Sequence, residues 1–150
     1  MDDLVQWLGG QLDVDEQIAR EATPGPWRNA PTARHHATAS GRSEEAVFGA
    51  PPELGATIVA TTGEAVDRRH LVDAEHIARH DPARVLREID AKRAIVARYE
   101  FACREASRVD IAEDERETWI RVGGALQSVV IQLAAPYAGR PGFKAEEWAP

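Results

Sequence analysis

The stretch "HLVDAEHIARHDPARVLREIDAKRAIVARY", residues 70–99, decides how the chain is built. Its first eleven residues have helical spacing. Asp81-Pro82 then stops that helix and starts another, because Asp caps free N–H groups and proline suits the first helical position. A short helix ending near His80 and a long one running from Pro82 to about Arg108 follow, the second with Val85, Ile89, Val96, Tyr99 and Cys103 on its apolar stripe. An acidic linker, "VDIAEDERET", leads to a last helix over about 115–135. Its stripe is Trp119, Val122, Leu126, Val129, Val130 and Leu133.

The segments before this stretch differ in character. Residues 2–22 read as an amphipathic helix with Leu4, Leu8, Leu12, Ile18, Ala19 and Ala22 on its inner side, Asp2 and Asp3 at its positive end, and Gly9-Gly10 marking a kink or a close contact. "ATPGPW", residues 22–27, must end it, since both prolines restrict the preceding residue and remove a donor. From 27 to 69 the helical period gives way to small, β-branched, Gly and Pro residues. Strand candidates are 34–39, 45–50 and 56–61, and Thr62-Gly63 followed by "EAV" predicts a hairpin turn.

Together these predict an α+β fold in one domain, 1–150: an N-terminal helix, a small antiparallel sheet of three or four short strands, then three helices of which the last two form a long antiparallel pair. Residues 136–150 form a tail that packs back on the domain or on a second subunit, because Tyr137, Phe143 and Trp148 are costly to leave in water.

Composition narrows the function. A net charge of −7 opposes nucleic-acid binding, which relies on neutralised phosphates. Residues 67–108 are locally basic, ten Lys/Arg against eight Asp/Glu, in the manner of a solvated helix face. No run approaches the ~18 apolar residues needed to span a bilayer. The acidic N-terminus has no signal-peptide pattern, and one cysteine, Cys103, excludes an internal disulfide; a cytoplasmic setting is expected.

Histidine carries the one chemical signal. Asp73, His76 and His80 share a helix face, His70 sits at its start, and either His35 or His36 can point inward from the sheet. Imidazole and carboxylate suit zinc or another divalent transition metal. The metalloprotease pattern is absent, because Glu75 precedes the first His and no carboxylate follows it. The commoner explanation is structural: His80 lies at a helix C-terminus, where the dipole favours it. No nucleotide loop or nucleophile elbow occurs, so no catalytic residue is assigned.

Three stretches, "ATPGPW" at 22–27, "DAEHIARHDPARVLREIDAKRAIVARY" at 73–99 and "PYAGRPGFKAEEW" at 136–148, resemble a family of small proteins encoded by actinobacteria, especially streptomycetes, and by their phages. The resemblance spans nearly the whole chain and brings no established activity or ligand. It implies a single domain in a bacterial cytosol. The expected function is a non-enzymatic protein-interaction or regulatory module of unknown partner, with a homodimer as one form of it and Trp27, Tyr137, Phe143 and Trp148 as binding residues. The alternative is a metal-binding protein or metal-dependent enzyme built on His76 and His80.

Overall fold

A computed structural model describes residues 1–29, 36–37, 43–49, 57–64 and 67–150. The elements in chain order are α1 (Asp2–Glu21), β1 (Arg28–Asn29), β2 (His36–Ala37), β3 (Ser43–Phe48), β4 (Ile58–Glu64), α2 (Arg68–Arg79), α3 (Pro82–Ala106), α4 (Glu113–Ala134), a 3₁₀ turn (Ala135–Tyr137) and α5 (Ala145–Trp148). The fold is α+β, with an N-terminal helix, a small antiparallel sheet and a long C-terminal helical pair. Two compact units divide the chain: Met1–Asp15 with Glu88–Pro150, and Glu16–Arg87.

The second unit holds the sheet. β3 is central: Val47 pairs with Asn29 of β1 on one edge and with Ala60 of β4 on the other, while β2 pairs with the start of β3 through His36 and Glu44. The strand expected at 34–39 is described only at His36–Ala37, and Ala65 and Val66 of the expected second hairpin run lie outside the described residues.

The turn expected at Thr62-Gly63 is a bulge instead. β4 runs straight through both residues, and because Glu45 faces Gly63 while Ala46 faces Thr61, Thr62 is the extra residue. An isolated glycine in a strand pattern serves either outcome, and only the partner strand decides between them. Thr62 then turns its hydroxyl to α2, where it donates to the His70 carbonyl at 2.7 Å. Gly63 takes φ +130°, and the His70 ring lies where its side chain would be.

α2 packs over this sheet with Ala74 fully buried. It begins two residues before His70, because Asp67 accepts from the Arg69 backbone N–H at 2.9 Å and caps the end. Asp81 caps α3 in the same way, accepting from Arg84 N at 2.8 Å with Pro82 next to it. The restart legible in "RHDPAR" is therefore a capped junction.

The first unit is helical. Leu4, Leu8 and Leu12 are 0–1% exposed, so the front of α1 carries the expected stripe. Farther along α1, Ile18 departs from that expectation at 62% exposed, since it stands ~100° around the helix from buried Ala19. Gly9 and Gly10 make neither a kink nor a close contact: α1 is continuous and no atom comes within 4 Å of either added Cβ. Gly10→Ala should accordingly stabilise the protein by about 0.5–1 kcal/mol, seen as a higher urea midpoint; a lower midpoint would mean that something packs on this face.

α3 and α4 are antiparallel. Arg116 donates to the Ala106 carbonyl at 3.0 Å, Phe101 meets Trp119, and Lys92 reaches the Tyr137 hydroxyl at 3.3 Å, so numbers rise along one helix as they fall along the other. The buried line of α4 differs from the expected one. It runs through Gly123, Val130 and Ala134, whereas Val122 is 37% exposed and Trp119, Leu126, Val129 and Leu133 are half-buried. Small residues let the backbones approach, with Gly123 facing Ala102 and Cys103 of α3, and the large apolar side chains are displaced to the flank.

Candidate functional site

The histidine corner lies at the end of α2. His80 is the C-cap: its backbone N–H donates to Ile77 O, and its Nδ1 donates to the His76 carbonyl at 2.7 Å. That bond places a proton on Nδ1. The His76 and His80 rings are 4.4 Å apart, and both residues, with Asp73, are exposed. Glu75 pairs with Arg79, Asp81 is engaged in capping, and the His70 ring lies over Gly63. His36 is on β2, and His35 lies outside the described residues. Among the described residues no group of three or more His, Cys, Asp or Glu side chains is placed to hold a metal ion.

The aromatic residues proposed from sequence are drawn inward. Trp27 is half-buried and donates from Nε1 to the Thr23 carbonyl at 2.7 Å, which closes the turn after α1. Tyr137 is 5% exposed, with the Arg140 guanidinium 4.7 Å from its ring centre. Trp148, 4% exposed, stacks with Trp7 and Phe143 at centroid distances of 5.4 and 5.8 Å. Trp7 also donates to the Pro141 carbonyl at 3.0 Å. Trp7 is the anchor that sequence reasoning missed: it stands beside the leucine stripe of α1, and its only signal is an aromatic on a polar face.

Two other surfaces have the character of contact sites. On the α3–α4 hairpin, Phe101 (45% exposed), Ile120 (57%) and Val122 (37%) are open to solvent, and Phe101 packs edge-to-face on Trp119. Between α1 and α3 runs a cleft of about 650 Å³ lined by Asp2, Val5, Gln6, Gly9, Val96, Tyr99, Glu100, Cys103 and Arg104. Cys103, expected in the core, is a half-buried free thiol in its wall.

Burial pushes the Tyr99 phenol up to about 12, helped by a hydrogen bond with Cys103 and by the charge of Asp2. The unfolded phenol titrates near ~10, so the native state holds this proton more tightly and stability falls as pH rises from about 10 to about 12. The urea midpoint should drop between about pH 9 and about pH 11, and less so in Tyr99→Phe; an equal drop in both proteins would assign the loss to other groups.

These features define a small α+β protein with apolar and mixed-charge helical surfaces. The chain belongs to DUF6221, a family of unknown function whose model covers residues 1–150. No curated protein and no solved structure matches it. No helix among the described residues is long and apolar enough to cross a membrane.

Proposed function

We propose that the protein is a non-enzymatic interaction module that self-associates through the outer face of the α3–α4 hairpin. The observation that carries this reading is the exposed pair Phe101 and Val122 beside half-buried Trp119, which packs on Phe101 and shares a helix face with Val122 three residues on. Two such hairpins packed face to face complete a four-helix arrangement, and a two-fold pairing uses the same patch on both copies. These side chains make an apolar centre, and a stable interface of ~800 Å² per partner surrounds such a centre with a polar rim. The setting we propose is the cytoplasm of an actinobacterium or of a phage-infected cell, where Cys103 stays a free thiol.

Sedimentation equilibrium should return twice the 16.5 kDa chain mass, and Val122→Glu or Phe101→Glu should return the monomer with unchanged helical circular dichroism. A wild-type monomer at all loading concentrations would overturn the reading.

One observation favours a second reading, metal binding. His80 bonds the His76 carbonyl through Nδ1, the contact by which a backbone carbonyl orients a metal-ligating imidazole, and the two rings lie 4.4 Å apart. Elemental analysis of untagged protein against His76→Ala/His80→Ala separates the two: stoichiometric metal lost in the variant supports this reading, and its absence from the wild type rejects it.

A further inference from the structure

The cleft between α1 and α3 is shaped by two helices side by side. α1 presents Asp2, Val5, Gln6 and Gly9, and α3 presents Val96, Tyr99, Glu100, Cys103 and Arg104. Both sets follow the i, i+3, i+4, i+7 spacing of a single helix face. The lining of α1 from residue 2 to residue 9 is roughly 10 Å long at ~1.5 Å per residue, or two helical turns. Gly9 keeps the floor open, since no atom lies within 4 Å of where its Cβ would be. Val5, Val96 and Tyr99 make the floor apolar. Among the described residues no salt bridge within 4.0 Å engages Asp2, Glu100 or Arg104, so charges of both signs rim an apolar trough.

We infer that this cleft is a docking groove for a short amphipathic helix of a partner protein, with an apolar stripe and flanking charges of both signs. The alternation selects a helix over an acyl chain. Glu100 and Arg104 are one turn apart, and a docked helix bearing Lys and Glu at i and i+4 meets them at the same spacing, with a further Lys or Arg for Asp2. An acyl chain needs one polar end and gains nothing from charges of both signs. This surface is separate from the hairpin face proposed for self-association, so either can fail without the other.

Cys103 is the only cysteine of the chain and lies in the groove wall, so its alkylation reports occupancy. The probe is a synthetic alanine-based helical peptide of four turns with Leu at i, i+3 and i+7 and Lys–Glu pairs at i, i+4 on its flanks. Iodoacetamide should modify Cys103 at least about tenfold more slowly when the peptide is saturating, a ratio set by fractional occupancy. Gly9→Leu fills the groove and should abolish that protection while leaving helical circular dichroism unchanged; a control peptide with Lys replaced by Glu should not protect. Val122→Glu should be protected like the wild type, which separates this site from self-association. No protection of the wild type, equal protection of Gly9→Leu or by the control peptide, or protection by dodecanoate in place of the peptide would overturn the inference.

Discussion

Trp148→Ala is expected to lower stability by about 3–5 kcal/mol, the range for deleting a buried aromatic from a packed site. Trp148 is 4% exposed and shares a cluster with Trp7 and Phe143, while the Lys144 ammonium lies 5.4 Å from its ring centre. Its neighbourhood is tied to α1 at further points: Lys144 to Asp3 at 2.9 Å, and Arg140 to Asp15 at 2.6 Å. The first of these is a surface pair that screening leaves weak. The aromatic cluster therefore carries most of the attachment, and urea unfolding should show a large loss of midpoint together with early proteolysis after residue 139. Val109→Ala, at a position 96% exposed, should stay within about 0.5 kcal/mol of the wild type. A Trp148→Ala loss below about 1 kcal/mol would mean that the tail is not part of the core.

Gly63→Ala is the second large effect, about 2–4 kcal/mol of destabilisation. Two costs add. A non-glycine residue at φ +130° is strained, and the new methyl would meet the His70 ring at 2.5 Å, closer than any real contact. The bond from Thr62 to its carbonyl fixes the His70 backbone, so relief of the clash requires the ring to rotate away from its place over Gly63. A double-mutant cycle with His70→Ala separates the terms: the steric part should disappear in the double variant and the backbone part should remain. Additive losses would place the whole effect in the backbone. The same substitution at Gly10 is expected to act in the opposite direction, because that glycine is helical and meets nothing within 4 Å.

The contrast between these glycines shows where sequence reading reaches its limit. Gly9, Gly10 and Gly63 look alike as helix or strand interruptions, yet one opens a groove, one is spare and one is required by a ring from another element. The aromatic tail shows the same thing. Its need to be buried is legible in "PYAGRPGFKAEEW", but its partner, Trp7, is 141 residues away from Trp148 and invisible to any local pattern. Of the sites considered, the histidine pair was legible as a shared helix face. What the sequence could not supply was the third donor, which depends on how the sheet and α2 meet.

What the sequence by itself determined is local. Asp81-Pro82 sets a helix start because caps act within three residues, the prolines of "ATPGPW" end α1 because they remove donors, and the leucines at 4, 8 and 12 mark a buried face because helical period is a property of one segment. Tertiary structure alone decided the rest: that Thr62 is a bulge, that α4 turns Gly123 and Ala134 inward and leaves Val122 out, and that α1 and α3 leave a groove between them. Each of those outcomes depends on close approach between residues far apart in the chain, where backbone distance and side-chain volume on both partners choose among faces that periodicity leaves equally apolar.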